Sequence, residues 1–156
     1  AAALGRDEFA GMEWAQAAGL DPERVAIVGV RNLDPPERRA IGDSPVSAYS
    51  MSDVDERGIV DVVEDAVAAV GDAADGLHVS LDLDWLDPKE APGVGTPERG
   101  GVTYREAHAA LEEVAAAATP TRSLEVVEVN PILDQHNETA ELACELVASA
   151  LGERVL

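Results

Sequence analysis

Two aspartates, Asp82 and Asp84, are separated by a single residue at the end of the mainly apolar run 77–83. Apolar and polar residues alternate here, so a β-strand would place both carboxylates on one face, roughly 6–7 Å apart. Two carboxylates on a mostly buried strand repel each other unless a proton, a basic group or a metal ion lies between them. The pattern therefore predicts a site for a hard metal cation. The competing interpretation is that Asp84 caps the following loop and Asp82 is solvated at the end of the strand.

Five further segments accompany the two aspartates along the chain. They are 29–37, 51–58, 91–97, 100–106 and 128–131. In this order and spacing, the chain resembles the arginase branch of the ureohydrolase family over nearly its whole length. The resemblance implies metal-dependent hydrolysis of L-arginine to ornithine and urea, as part of arginine metabolism and the urea cycle.

The resemblance also implies the ligands of two Mn²⁺ ions. Asp82 would bridge the two ions and Asp84 would bind one of them, and carboxylate oxygens suit this metal. A two-metal site lowers the pKa of a bridging water and supplies hydroxide at neutral pH. The hydroxide would attack the guanidinium carbon of arginine.

The resemblance further implies that four residues bind the substrate. Glu128 would hold the guanidinium group, because planar bidentate pairing is the strong geometry for that group. Thr96 would donate a hydrogen bond near the scissile bond, or would serve only in an ordinary turn. Asp34 and Glu37 would recognise the α-amino group of the substrate. Asp34 is also a good N-cap for a following helix, and the two roles are compatible.

The histidine ligands of the family are expected N-terminal to all of these segments. The three histidines of this chain, His78, His108 and His136, do not match them; the first two are interpreted as packing or supporting residues and His136 as exposed. We therefore interpret residues 1–156 as one arginase-like domain without its N-terminal half, inactive on its own. Two alternatives stay open. One is an agmatinase or another ureohydrolase, against which the match at 33–37 argues; the other is a non-enzymatic acidic module that binds a divalent cation or a partner chain.

Charge and composition narrow the class of protein. Eleven basic residues against thirty-one acidic ones give a net charge of −20, which argues against nucleic acid or anionic membranes as partners. No apolar run approaches the roughly 20 residues of a membrane span and no leader is recognisable, so a soluble, cytoplasmic protein is expected. The single cysteine, Cys144, is expected to pack in a helix. The resemblance implies a homo-oligomer, a trimer or hexamer, in the full-length protein.

The scarcity of lysine, with Lys89 alone, and the excess of acidic residues resemble proteins of a salt-rich cytoplasm. Repulsion among surface carboxylates is screened over about 10 Å at 0.1 M salt but only about 3 Å at 1 M. We therefore expect the melting temperature to rise from low salt to molar KCl, as followed by far-UV circular dichroism. A melting temperature that is flat or falls over this range would contradict halophilic adaptation.

The elements that must position these residues alternate between strand and helix, which is typical of an α/β domain. We predict a three-layer fold with a doubly wound, mainly parallel sheet, in the form of a partial arginase-like fold. Predicted strands are 25–30, 46–49, 77–83 and 124–129, and predicted helices are 7–18, 59–70, 104–114 and 142–150. In such sheets ligands bind beyond the carboxyl ends of the strands. Asp34, Asp84 and Glu128 are expected at one such rim.

Overall fold

A computed structural model describes residues 3–6, 9–15, 20–71 and 75–154 of the 156-residue chain. Strands and helices alternate along it, as the sequence predicts. The strands are β1 (Ala26–Val30), β2 (Ser47–Ser50), β3 (Leu77–Asp82) and β4 (Thr121–Val127). The helices are α1 (Pro35–Gly42), α2 (Met51–Arg57), α3 (Ile59–Gly71), α4 (Tyr104–Ala116) and α5 (Glu138–Ala150). Short 3₁₀ turns occupy Pro22–Arg24 and Leu83–Trp85.

The four predicted strands are confirmed, and they pair in parallel. β1 pairs with β2, with Ile27 opposite Ala48, and β3 pairs with β4, with Leu81 opposite Val126. Parallel neighbours need a crossover connection, and α1 and α4 belong to the two crossovers. In the described ranges the ladders form two separate two-stranded sheets. The fold is thus an α/β arrangement of parallel strand pairs with helices in the connections.

The core lies between β3 and a helical layer made of α3, α4 and α5. Helix α3 buries Val62, Val63 and Ala66, at the spacing that puts residues on one helix face. Full burial of one aliphatic side chain of this kind stabilises the fold by roughly 1.5–3 kcal/mol. The same core extends under the loops that follow β3, through Leu83, Leu86, Val94 and Val102, each 0–1% exposed. The segment that carries the two aspartates is therefore held in place by packing against this core.

Capping boxes fix where three of the helices begin. In α4 the Thr103 side chain accepts from the Glu106 amide while the Glu106 side chain accepts from the Thr103 amide, as predicted. In α1 Asp34 and Glu37 make the same reciprocal pair. Helix α2 begins at an equivalent pair, Ser50 with Asp53, and its pattern of apolar residues was too short to predict.

Two expectations from the sequence are wrong in the described residues. Within the helix expected at 7–18, residues 9–15 form successive tight turns with hydrogen bonds three residues apart, for example from Met12 N to Phe9 O at 3.1 Å; the rest of that segment lies outside the described residues. Cys144 was expected to pack inside, but its position on α5 faces solvent. Leu142, Ala143 and Leu146 occupy the buried face of that helix instead.

Among the described helices, none combines the length and the apolar character that crossing a membrane requires.

Candidate functional site

Asp82 is the last residue of β3, and the strand stops there for a local reason. One oxygen of its carboxylate, Oδ1, accepts a hydrogen bond from the Asp84 amide at 3.0 Å and so caps the 3₁₀ turn Leu83–Trp85. Aspartate side chains compete in this way with the strand ladder for backbone donors. The prediction that both aspartates lie on one face of a continuing strand is therefore wrong for Asp84. The competing interpretation assigned a capping role to Asp84. In the structure Asp82 is the residue that caps the 3₁₀ turn.

Asp84 is positioned by a residue from the next loop. Thr96 donates from Oγ1 to Asp84 Oδ2 at 2.8 Å. Thr96 was predicted to act near the substrate, and in the structure its hydroxyl orients the carboxylate that is the candidate metal ligand. Both aspartates are thus held in place by hydrogen bonds from their own neighbourhood.

Negative charge accumulates around Asp82. Burial raises the pKa of the Asp82 carboxyl, and the charges of Asp84 and Glu128 raise it further. Among the described residues no basic side chain forms an ion pair with any of these three carboxylates. Arg31 donates to the backbone oxygens of Asp84 and Glu98. A cation from outside the chain would relieve this repulsion.

Glu128 follows β4 in an unusual backbone conformation. Its φ of 67° lies in the left-handed region, which costs a non-glycine residue about 1–2 kcal/mol. A neighbouring isolated bridge, Val94 with Val129, joins this segment to the loop that carries Thr96. A Cβ atom added to Gly95 would lie 3.5 Å from Glu128 Oε2, so that loop passes directly beside the carboxylate. Strain of this kind concentrates where a side chain has to be aimed at a site.

A cleft of about 450 Å³ lies beyond the carboxyl ends of β1 and β3. Its lining includes Asp82, Asp84, Thr96, Glu37 and Arg31. The structure therefore brings together four of the six residues singled out from the sequence. Glu128 approaches Asp82 closely enough to influence its pKa.

Asp34 and Glu128 are the candidate residues that do not line this cleft. Asp34 lies at the start of α1. Its carboxylate accepts from the Glu37 amide at 2.8 Å, and Glu37 Oε2 accepts from the Asp34 amide at 3.0 Å. The helix-start interpretation of Asp34 is confirmed. Its role in recognising a substrate amine stays a prediction, as do the roles of the other site residues.

The histidines lie away from the two aspartates. His108 is buried, with its Nδ1 atom 2.8 Å from Ser149 Oγ, in keeping with the packing role expected. His78 is exposed, 2.8 Å from Ser123 Oγ, so its expected packing role is not seen. His136 is exposed, as expected.

Two residues of the site escaped the sequence argument. Arg31, just after β1, donates a hydrogen bond to the backbone oxygen of Asp84 in the segment after β3. No local sequence pattern predicts a contact between residues so far apart. Gly101 lies against the backbone of the segment after Asp84, where Val102 N donates to Trp85 O at 3.2 Å and Asp87 N donates to Val102 O at 3.0 Å. The pair Gly100-Gly101 hinted at such a close approach.

We expect Gly101→Ala to destabilise the segment that carries the aspartates. An added Cβ would lie 2.6 Å from Asp87 N and closer still to Trp85 O, and neither backbone atom can move away freely. The free energy of unfolding should fall by about 1–3 kcal/mol, as for other overpacked sites. Urea denaturation measures the change. Gly42→Ala is the matched control, since a Cβ there meets no atom within 4 Å; equal losses in both variants would contradict the close approach.

The donor set at the site suits a hard cation but is not a complete metal centre. Carboxylate oxygens are preferred by Mg²⁺, Ca²⁺ and Mn²⁺. In the part of the chain that the structure describes, no group of three or more His, Cys, Asp or Glu side chains is arranged to hold a metal ion. Asp82 and Asp84 would need ligands from elsewhere.

Comparison with known proteins places these features in context. The model of the arginase family matches residues 5–152. The arginase of Bacillus caldovelox is 48% identical over 137 residues, which are 88% of this chain and 46% of that protein. Its native structure at pH 5.6 superposes with a TM-score of 0.90 at 44% identity, over 99% of this chain and 52% of that one. A hypothetical agmatinase from Burkholderia thailandensis is more distant, with a TM-score of 0.69 at 27% identity over 83% of this chain and 38% of that chain. The chain thus spans about half the length of the arginases it matches.

Proposed function

Since this chain belongs to the arginase family, we propose that the protein containing it hydrolyses L-arginine to ornithine and urea with the help of Mn²⁺. The observation that carries the proposal is that Asp82 and Asp84 line one cleft with the charge of Glu128 close to Asp82, and that none of the three carboxylates forms an ion pair with a basic side chain among the described residues. Such an arrangement suits both a metal cation and a guanidinium group. The identity of about 48% to a Bacillus arginase supports the same reaction.

Asp82 and Asp84 are the residues that would hold metal. The carboxylate of Asp84 lies beside that of Asp82 and raises its pKa, which favours a bound divalent cation, because the cation would supply the missing counter-charge. The chemistry that such ions supply when bound is hydroxide from water near neutral pH. The remaining ligands would come from polypeptide outside these 156 residues.

The other acidic residues would bind and orient the substrate. Glu128, which has a left-handed backbone conformation and lies close enough to Asp82 to raise its pKa, would pair with the guanidinium group and bring its carbon close to the metal site. Thr96 would keep Asp84 oriented through its hydroxyl. Glu37, on the far wall of the same cleft, is placed to meet the α-amino end of an amino acid.

Arginine is favoured over agmatine as the substrate. Agmatine lacks the carboxylate of arginine but keeps its amino group, so two acidic residues that read the amino group do not by themselves separate the two substrates. The relatives named arginase share far more identity with this chain than the hypothetical agmatinase does. The segment 33–37, with its capping box, is the feature to test.

We expect Asp34→Asn and Glu37→Gln, introduced into a complete enzyme, to weaken the binding of arginine through its amino group. Asparagine and glutamine still form caps, so helix α1 should persist while the charge is lost. The expected loss for arginine is about 1–3 kcal/mol in kcat/KM, as for an unmade charged hydrogen bond. Urea release from both substrates measures it, with Glu56→Gln on exposed α2 as the control. Unchanged kcat/KM for arginine would contradict the proposed role of Asp34 and Glu37, and a wild-type preference for agmatine would favour an agmatinase.

Three further properties follow from the resemblance and the composition. We propose that the complete protein is a cytoplasmic homo-oligomer, a trimer or hexamer, and that its acidic surface is adapted to high salt. The net charge of −20 supports the last point.

A further inference from the structure

A residue of helix α5 holds the loop that carries Thr96. Gly93 N donates to Thr139 Oγ1 at 2.8 Å, and Thr139 lies in the first turn of α5. The contact joins residues 46 positions apart, and both are buried, with Thr139 0% exposed. Because a buried amide without a partner is costly, this hydrogen bond fixes where Gly93 lies. Thr139 itself does not line the cleft.

Gly93 is held on two further sides. Asn130 N donates to Gly93 O at 2.8 Å, and beside this contact Val94 forms an isolated bridge with Val129. A Cβ atom added to Gly93 would lie 2.5 Å from Asp134 Cβ, so only glycine fits against that side chain. Gly93 is therefore fixed at its amide, at its carbonyl oxygen and at its α-carbon.

The start of α5 is fixed in turn by Asp134. Asn137, at the N-cap position, has a left-handed φ of 65° and makes no side-chain capping hydrogen bond. The Asp134 carboxylate takes over this role, since it accepts from Thr139 N at 3.0 Å and from Ala140 N at 3.1 Å. A negative charge at this end of a helix is also favourable. The first turn of α5 is thus held against the same loop that its hydroxyl group binds.

Gly93 connects α5 with two of the candidate groups. Its carbonyl oxygen binds the segment that directly follows Glu128. Farther along the loop, Thr96 donates to Asp84 Oδ2 at 2.8 Å. Between these two points lies Gly95, where an added Cβ would be 3.5 Å from Glu128 Oε2. A shift of Gly93 would therefore move the Glu128 carboxylate and the contact between Thr96 and Asp84 together.

We propose that Thr139 is a positioning residue for the reaction. Through Gly93, its hydroxyl sets the positions of Glu128 and Thr96. This role rests on the proposed hydrolysis of arginine, in which Glu128 holds the guanidinium group. A misplacement of about 1 Å costs on the order of 10²-fold in rate when reacting groups must meet in a narrow geometry. Thr139 thus acts on the reaction without touching the substrate.

Thr139→Val and Thr139→Ser test this role in the complete enzyme that contains this chain. Valine keeps the shape of threonine and removes the hydroxyl, whereas serine keeps the hydroxyl. In Thr139→Val we expect kcat for urea release from arginine to fall about 10- to 100-fold while KM changes less than about threefold, because the groups that bind the substrate are present but misaligned. Thr139→Ser should keep kcat within about threefold of the wild type, since the hydroxyl still accepts from Gly93 N.

Hydrogen–deuterium exchange, followed by mass spectrometry, gives a readout that does not depend on activity. Segment 91–97 should exchange at least about tenfold faster in Thr139→Val than in the wild type, because the loop has lost its anchor on α5. In Thr139→Ser the exchange of this segment should stay as in the wild type.

Ser149→Ala is the matched control on the same helix. Ser149 is buried, and its Oγ atom lies 2.8 Å from His108 Nδ1, away from the two aspartates. This variant should lower the melting temperature, as Thr139→Val does, but leave both kcat and the exchange of segment 91–97 unchanged.

Three results in an active enzyme would each overturn the role of Thr139. They are wild-type kcat or unchanged exchange of segment 91–97 in Thr139→Val, an equal impairment in Thr139→Ser, and an equal loss of kcat in Ser149→Ala. If the complete wild-type protein releases no urea from arginine, the proposed function fails instead. The exchange of segment 91–97 then decides alone: faster exchange in Thr139→Val supports the anchor, and unchanged exchange overturns it.

Discussion

Asp82→Asn should reduce urea release from arginine by about 10³-fold or more in an enzyme that contains this chain together with its complementary half. A bound metal contributes several kcal/mol of transition-state stabilisation, and each 1.36 kcal/mol is a factor of ten in rate. Asn keeps an oxygen that can accept from the Asp84 amide, so the 3₁₀ turn should survive and only the charge is lost. Asp84→Asn should act in the same direction, and Mn²⁺ affinity measured by calorimetry should fall in both variants.

A stability measurement distinguishes loss of metal from loss of fold. Burial and neighbouring negative charges raise the pKa of Asp82, so its ionised form costs stability at pH values above that pKa. The metal-free Asp82→Asn variant should therefore melt at or above the temperature of the metal-free wild type at neutral pH. Asp55→Asn, on the exposed face of α2, controls for the general loss of one charge. Unchanged Mn²⁺ affinity in both Asp82→Asn and Asp84→Asn would contradict the assignment of these residues to the metal.

The strands were predictable because their sequences are short, rich in branched side chains and bounded by Gly, Pro or Asp. The ends of β1 and β3 came out within a residue or so of the prediction. Periodicity alone placed Asp84 on the strand, because it does not register that an Asp side chain can take over a backbone amide. The capping hydrogen bond from Asp84 N to Asp82 is a competing local interaction that only the structure reveals.

The grouping of the candidate residues depends on contacts distant in sequence. The Arg31 guanidinium reaches Asp84 O across 53 residues, and the Thr96 hydroxyl reaches back 12 residues to Asp84. Rules based on spacing along the sequence do not predict contacts between residues separated in this way. The carboxyl-end rule for parallel strands nevertheless predicted that Asp84 and Glu128 would meet at one rim, and Glu128 does lie close enough to raise the pKa of Asp82. Asp34, assigned to the same rim, is instead bound to the start of α1.

The sequence also did not predict that the four strands form two separate pairs. Each strand segment predicts a neighbour but not which one, because pairing joins residues such as Leu81 and Val126 that are far apart along the chain. Helix α3 shows the complementary case. The apolar spacing predicted its buried face correctly. Val67 and Val70 are nevertheless only half-buried, because they line a cavity of about 380 Å³ beside β1 and β3.

The chain alone should release no urea from arginine above the uncatalysed background, even with saturating Mn²⁺. Among the residues that the structure describes, the site offers Asp82 and Asp84 as metal ligands and no set of three side chains able to hold an ion. A two-metal centre needs ligands on both sides of the ions to fix their positions. Co-expression with the N-terminal half of the Bacillus caldovelox arginase should restore turnover, and the same co-expression with Asp82→Asn should not. The assay is urea release with purified protein, beside the complete Bacillus enzyme as a positive control. Appreciable turnover by the chain alone would show that another set of ligands completes the site, and His78→Ala would then be the first variant to measure.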